Sequence, residues 1–345
     1  MVNNAIGIYV FHKEGEKIMK KFVTVVLVVL IAMSAVTASG KSESAASSVD
    51  NWPAKPINII ITSSAGGDGD YLMRLLAKDL EKELGATLVL TNLVGGNGSV
   101  GMDDLRQKKA DGYTFYVNNT CALSANEANG LVDYDYTVSD PVAVFAKHSG
   151  EMIWVRADSP YKTMGDLVKA TQANPNKLTI GVSMGGSVYA AAMMLQEAGV
   201  KFSLVDASDG AERIISLLGK QVDSTIAGYG IGKEYIESGD LRALCTLMGS
   251  RSAALPDVPT AVEAGVEGLV INNLFVLLAP KGTDPMIVEK MNAAVMKISA
   301  ENSVYQNAVT AYSGQSAYAL SVADTTKVLD ETRDQFMAIS ELLRK

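Results

Sequence analysis

The chain has 345 residues, roughly twice the size of a usual single domain, so two domains are expected. Hydrophobic residues make up 48% of the chain and charged residues 20%, which is the balance of a globular protein. The formal net charge of −8 argues against nucleic-acid binding. With 2 histidines and 2 cysteines, a zinc site or a histidine-based catalytic triad is disfavoured, and we expect no metal and no cofactor.

The amino terminus has the order of an export signal. Lys20 and Lys21 precede an apolar run at 22–33, and small residues follow up to Ala38. The run is shorter than the roughly 20 residues that a transmembrane helix needs. We predict cleavage after Ala38 and a periplasmic or other extracytoplasmic location; the alternative is an uncleaved anchor. Position 39 is Ser39 rather than cysteine, so no lipid anchor is expected there.

The signal begins at Met19, which leaves residues 1–18 as a leader without a role in export. We take Met19 as the true translation start; mass spectrometry of a precursor that contains residues 1–18 would contradict this. Residues 39–51 are small and polar, which is typical of a flexible tether. The folded part is expected to open at Trp52.

From there, strands and helices alternate. The isoleucine-rich run at 57–61 predicts a buried strand, and leucines at helical spacing after it predict a helix that Gly85 ends. Further strands are predicted at 87–91, 113–117, 152–155, 178–182, 202–205, 222–226, 241–247 and 275–278. Helix starts are predicted at Thr163 with Asp166, at Thr260 with Glu263, at Asp284 with Pro285, and at Ser321 with Asp324. The pattern predicts two similar α/β halves and a helical tail.

Three glycine-rich turns, at 63–70, 95–101 and 183–187, each follow a predicted strand and precede a predicted helix. Such turns expose backbone N–H groups at a helix N-terminus, where the helix dipole favours an anion. Their spacing fits neither the dinucleotide fingerprint nor the phosphate-binding loop with its lysine. The three turns together therefore indicate a shared site for a small anion.

Several motifs in order resemble those of the tripartite tricarboxylate transporter receptors, also called Bug-type solute-binding proteins. The first motifs of this chain, Pro56-Ile57, Gly66-Gly67, Asp70 and Arg74, resemble those with which sequences of that family begin. Further matching elements lie at Asn92 to Gly101, 111–114, 174–178, 185–187, 217–223, 239–244, 255–260 and 277–283. The resemblance runs from about Trp52 to the C-terminus.

This resemblance implies an α/β fold of the two-lobed, type II periplasmic-binding-protein kind, in which each lobe is a mixed sheet flanked by helices. Lobe 1 is expected at 52–154 and 273–345, and lobe 2 at 155–272. The resemblance also implies a receptor that captures a small organic carboxylate between the lobes and delivers it to the large and small membrane subunits of a transporter. Dicarboxylates, tricarboxylates, aromatic acids and acidic amino acids are the candidate ligands, and the receptor is expected to be a monomer.

By position, the ligand-binding residues of the first two turns are Ser63, Ser64, Gly66, Asp70, Asn92, Gly96 and Asn97. The second lobe adds Ser183, Gly186 and Ser187. Many members carry a tyrosine-lysine-glycine element where this chain has residues 207–209, and here Asp206 and Asp209 make the cleft wall acidic. That implies a smaller acid, or one with an amine that pairs with an aspartate. Tyr229 either lines the cleft or packs beside it.

Two other functions stay open at this point. One is a hydrolase or lyase on the same two-lobed fold, although the sequence shows no evident pair of nucleophile and base, and His148 is expected to be a loop residue. The other is a sensory receptor that reports a solute to a membrane kinase, which residue patterns do not separate from a transport receptor.

Overall fold

The computed structural model describes residues 49, 51–207 and 209–344, so the predicted signal peptide lies outside the described residues. Pro53 to Lys345 form one compact unit. This unit contains two five-stranded mixed sheets, each covered by helices. The predicted two-lobed α/β architecture is confirmed.

The first sheet has the strand order β2-β1-β3-β10-β4. Its strands are β1 (Ile57–Ile61), β2 (Leu88–Asn92), β3 (Thr114–Asn119), β4 (Ser139–Lys147) and β10 (Leu274–Pro280). β1 runs parallel to β2 and β3, whereas β10 is antiparallel to β3 and β4. The sequence pattern did not predict β4. It is an edge strand that contains Pro141, a residue that edge strands tolerate and central strands do not.

The second sheet has the order β7-β6-β8-β5-β9 and repeats this design. Its strands are β5 (Glu151–Arg156), β6 (Thr179–Val182), β7 (Ser203–Asp206), β8 (Ser224–Gly228) and β9 (Leu241–Thr246). β6 runs parallel to β7 and β8, and β5 is antiparallel to β8 and β9. Because all of β5 belongs to this sheet, the chain crosses between sheets at 148–150, earlier than the predicted boundary at 154–155.

The helices are α1 (Asp68–Leu84), α2 (Ser99–Leu105), α3 (Thr120–Ala128), α4 (Met164–Ala173), α5 (Ser187–Glu197), α6 (Gly210–Leu218), α7 (Tyr229–Glu237), α8 (Pro285–Glu301), α9 (Ser303–Ser313), α10 (Val322–Ala338) and α11 (Ser340–Leu343). The predicted helix starts at Thr163, Asp284 and Ser321 are observed, whereas α3, α7 and α9 were not predicted. Helix α1 ends at Gly85 in the left-handed conformation, and Thr163 with Asp166 forms a capping box at α4. Thr260 and Glu263 make the same reciprocal hydrogen bonds, but residues 261–265 form turns rather than the predicted helix.

The C-terminal helices connect the two lobes. Phe336 of α10 and Leu343 of α11 belong to the apolar cluster at the core of the second lobe, which also includes Cys121 of α3 and Cys245 of β9. Arg333 of α10 forms an ion pair with Glu127 of α3. Both cysteines are unpaired, and burial raises the pKa of each thiol to about 12. The predicted tail is therefore part of the core.

A glycine in α7 tests the packing of the second lobe. A Cβ at Gly232 would lie 2.5 Å from the ring of Trp154, which is fully buried and donates its indole N–H to Ala227 O at 2.8 Å. We expect Gly232→Ala to be less stable than the control Gly165→Ala by about 1–3 kcal/mol, the usual cost of overpacking a core. At Gly165, in helix α4, an added Cβ meets its nearest atom at 3.7 Å. Urea unfolding of both variants measures the difference; equal stabilities would contradict it.

Candidate functional site

A cavity of about 360 Å³ lies between the two lobes. The turns that follow β1, β2, β6 and β7 line it, because the carboxyl ends of parallel strands in each sheet face the same edge. His148 of the chain crossing and Glu151 at the start of β5 also line it. The volume is at the small end of the range of ligand pockets, roughly 300–1,000 Å³.

Four of the helices that begin at this cavity have no side-chain cap, whereas Asn119 and Asp209 cap α3 and α6 there with their side chains. Helices α1, α2, α5 and α7 start after Gly67, Gly98, Gly186 and Gly228, and none of these four N-caps provides a side-chain hydrogen bond. By contrast, Asp284, Asn302 and Ser321 cap α8, α9 and α10 with their side chains. An uncapped N-terminus leaves its first N–H groups for another acceptor, and the helix dipole favours an anion there.

The turns of the two lobes are in direct contact across the cleft. Asn97, in the left-handed conformation with φ of 50°, donates from Nδ2 to Met184 O at 3.1 Å. Ser183 donates from Oγ to Asn97 Oδ1 at 2.7 Å, and Asn129 donates to Gly185 O. The two lobes are therefore in a closed arrangement.

Most of the predicted binding residues reach the cavity. Those that line it are Ser63, Ser64, Gly96, Asn97, Ser183, Ser187, Asp206 and Asp209. Among them, Ser63 is distinct because its Oγ is buried without a hydrogen-bond partner. Asp206 accepts a hydrogen bond from Met184 N at 3.0 Å, and Asp209 caps α6 by accepting one from Glu212 N at 2.9 Å.

The other predicted residues, Gly66, Asp70, Asn92, Gly186 and Tyr229, are not in the cavity lining. Asp70 accepts hydrogen bonds from Gly66 N, Arg74 Nε and Asn92 Nδ2, each at 2.8 or 2.9 Å. Asp70 is the third residue of α1, and a carboxylate at this position can accept a hydrogen bond from a backbone N–H that precedes the helix. Asp70 and Asn92 therefore hold the first turn in shape.

Tyr229 and Gly186 also have packing roles. Tyr229 is buried within an apolar cluster of the second lobe that includes Trp154. Gly186 is the N-cap of α5, and a Cβ there would lie 2.6 Å from Asn97 Oδ1. Its lack of a side chain thus permits the close approach of the two turns.

Sequence reasoning missed a group of polar residues in the cavity lining. Asp68, His148 and Glu151 line the cavity, and His148 Nε2 lies 3.4 Å from Asp68 Oδ2 and 3.5 Å from Glu151 Oε1. Asp68 also accepts hydrogen bonds from Ser149 Oγ and, at 2.6 Å, from Tyr312 OH. His148, predicted as a loop residue, follows β4 in sequence, stacks on the Phe275 ring and faces the site.

Arg213 was also missed. It lies on the buried face of α6, one turn before Leu217, and that spacing was the available signal. Its guanidinium donates to Ile226 O at 2.7 Å and to Ala207 O at 3.4 Å, and it lines the cavity. Burial lowers the pKa of Arg213, although Glu151 and Asp209 favour its charged form.

The structural role of Asp70 can be tested by pH. Burial tends to raise its pKa, but the hydrogen bonds from Arg74, Gly66 and Asn92 outweigh burial and hold the pKa below its usual range. A lowered pKa stabilises the fold above the unfolded-state value of about 3.9, and this stabilisation is lost as the pH falls through the folded-state value. At pH 7 we expect Asp70→Asn to lose about 1.5–3 kcal/mol of unfolding free energy, and the loss should shrink below about pH 4.

Denaturant unfolding at several pH values measures this difference. The control is Asp257→Asn, an exposed carboxylate, which should match the wild type throughout. A deficit of Asp70→Asn that is the same at pH 3 and pH 7 would show that the charge of Asp70 is not what stabilises the turn.

Comparison with known proteins identifies the family of this chain. Residues 72–343 match the family described as "Tripartite tricarboxylate transporter family receptor". This chain belongs to that receptor family. The "UPF0065 protein in gbd 5'region" of Cupriavidus necator is 35% identical over 261 residues, which are 72% of this chain and 76% of that protein. "Protein BugT" of Bordetella pertussis is 29% identical over 275 residues, 78% of this chain and 83% of that protein.

A solved structure described as "R. palustris Rpa4515 with adipate" is 26% identical, with a TM-score of 0.77, and covers 85% of this chain and 98% of its own. As a family member the chain is a solute-binding receptor for transport, not an enzyme. Among residues 49, 51–207 and 209–344, no helix is both long enough and apolar enough to span a membrane. The same residues contain no group of three metal-ligating side chains placed to hold a metal ion.

Proposed function

We propose that this receptor captures a small organic carboxylate in the cavity between its lobes. The observation that carries the proposal is the convergence on one cavity of helix N-termini without side-chain caps, α1 from the first lobe and α5 from the second. Their N–H groups are donors for carboxylate oxygens, and binding by both lobes would stabilise the closed arrangement over an open one. The adipate of the related structure is a ligand of that chemistry.

Two side chains add to these backbone donors. The Arg213 guanidinium is a buried positive charge on the cavity wall, and a guanidinium pairs well with a carboxylate. The Ser63 hydroxyl is buried and has no hydrogen-bond partner within the protein, so a ligand oxygen can satisfy it. We assign the carboxylate of the ligand to this donor set, together with the turns at 63–70, 95–101 and 183–187.

We further propose that export by the signal peptide at 19–38 places the receptor outside the cytoplasm, where it delivers the ligand to the membrane subunits of a tripartite transporter. Family membership supports this role. A hydrolase on this fold is not favoured, since the Ser149 hydroxyl donates its hydrogen bond to Asp68 and not to His148.

A ligand screen tests the binding step. We expect at least one small carboxylate, from a panel of dicarboxylates, tricarboxylates, aromatic acids and amino acids, to raise the melting temperature of residues 39–345 by several degrees. A ligand at 100 times its dissociation constant adds about 2.7 kcal/mol to the unfolding free energy. If sugars, peptides or metal cations shift the melting temperature and no acid does, the carboxylate proposal is wrong.

Ser63→Ala then tests the donor set with the hit from that screen. We expect at least a tenfold loss of affinity by calorimetry, the effect of losing one hydrogen bond to a charged group of about 1.5 kcal/mol or more. Its unliganded stability should not fall, because the hydroxyl makes no bond within the protein. The control is Ser139→Ala, whose buried hydroxyl donates to Tyr136 O at 2.7 Å outside the cavity. It should lose stability and keep its affinity.

Delivery is tested in cells. Deletion of the gene for this chain should abolish uptake of the labelled hit, and expression of the wild-type receptor should restore it whereas Ser63→Ala should restore it less well at low ligand concentration. Normal uptake in the deletion strain, with loss of a transcriptional response to the ligand instead, would favour the sensory role.

A further inference from the structure

The wall of the cavity is acidic. Four carboxylates line it, from Asp68, Glu151, Asp206 and Asp209. Among the described lining residues, Arg213 is the one arginine, and none is a lysine. His148 Nδ1 accepts a hydrogen bond from Gly150 N at 3.2 Å, so Nε2 is the ring nitrogen that faces Asp68 Oδ2 and Glu151 Oε1.

Glu151 differs from the other three acids. Asp68, Asp206 and Asp209 each accept hydrogen bonds from hydroxyl or amide donors of the protein at ordinary or short distances. The Glu151 side chain is 5% exposed, and its Oε1 lies 3.5 Å from His148 Nε2. Its Oε2 is buried and has no hydrogen-bond partner.

A buried carboxylate without a full set of partners is unfavourable unless a positive charge lies close by. The negative charges of Glu151, Asp209 and Asp206 all favour the charged form of Arg213. Its guanidinium, however, donates its hydrogen bonds to the backbone carbonyls of Ile226 and Ala207 and not to these carboxylates. The cavity lining thus contains one guanidinium and four carboxylates. A ligand with two or three negative charges and no positive one would increase this imbalance.

We propose that the ligand carries a protonated amine in addition to its carboxylate, and that the amine lies at the Glu151 side of the cavity. This rests on the proposed function, because the carboxylate remains assigned to Arg213 and the uncapped helix N-termini. The ligand class is therefore a small amino-carboxylate. The selectivity arises at Glu151, the lining carboxylate whose Oε2 is buried without a hydrogen-bond partner, while Asp206 and Asp209 add to the negative potential.

Matched ligand pairs test this inference on residues 39–345. Isothermal titration compares L-aspartate with succinate, L-glutamate with glutarate, and 4-aminobutyrate with butyrate, so that each pair differs by one amino group. We expect the wild type to bind the amino member at least tenfold more tightly in at least one pair. Glu151→Gln keeps the shape of the side chain and removes its charge. It should weaken binding of that amino member at least tenfold while leaving its partner unchanged or bound more tightly.

Glu197→Gln is the matched control, because Glu197 is an exposed carboxylate at the end of α5 and does not line the cavity. It should leave both members of every pair unchanged. Thermal unfolding without ligand checks that Glu151→Gln is folded, and we expect it to be at least as stable as the wild type, since a buried charge has been removed. The selectivity of the wild type is an independent measurement that does not depend on this variant.

The outcomes separate the two proposals. Equal or tighter binding of the deaminated member in every pair that binds overturns the amine inference and leaves the carboxylate receptor standing. Glu151→Gln with unchanged preference for the amino member also overturns the inference, because the amine is then recognised elsewhere. If neither these six compounds nor any other acid binds the wild type, the proposed function fails, and the inference fails with it.

Discussion

Glycine at the N-caps of α1, α2, α5 and α7 is the constraint on which the cleft depends. A serine, threonine or aspartate at these positions would satisfy the first amides of each helix and occupy the space where a ligand must lie. At Gly98 and Gly186 an added Cβ would meet Asn118 Nδ2 at 2.2 Å and Asn97 Oδ1 at 2.6 Å, so the turns themselves also require glycine. Glycine at these positions thus leaves backbone N–H groups at the helix starts for an anion, and it permits the close approach of the two lobes.

The convergence of these helix starts depends in turn on how the lobes are held. Asp68 of α1 lies against β8 and α7 of the second lobe, since Cβ atoms built at Gly228 and Gly230 would approach its carboxylate at 2.6 and 3.1 Å. The bonds from Tyr312 and Ser149 to Asp68 fix this carboxylate at the junction. The C-terminal helices add apolar contacts to the second lobe through Phe336 and Leu343. The binding residues are therefore positioned by contacts far apart in the sequence.

The electrostatics of the cleft combine two opposite tendencies. Helix N-termini and the buried Arg213 favour a carboxylate, whereas four acidic side chains favour a cation. A zwitterionic ligand reconciles them, because each end of the ligand finds a complementary charge. Specificity in this cleft would then come from the side chains of the wall, while the turns common to both lobes supply general affinity for an acid.

The sequence by itself determined the local structure. Hydrophobic periodicity, capping residues and glycines act over a few residues, and they predicted most strands, the start of α4 and the glycine-rich turns that line the cavity. The resemblance predicted the two-lobed fold and eight of the residues that line the cavity. The edge strand β4 was missed because Pro141 weakens its local signal, and Thr260 with Glu263 predicted a helix where only a turn forms.

Only the tertiary structure decided which side chains face the ligand. Asp68 and Asp70 lie two residues apart, yet one faces the cavity and the other turns back to Gly66, because their directions are set by the helix and by Asn92 from another strand. His148 and Glu151 lie at the crossing between β4 and β5, and Arg213 meets them at the cavity because the first turn of α6, distant in sequence, packs at the same place. Local sequence patterns do not predict such contacts, since burial and charge at a site are properties of the assembled lobes.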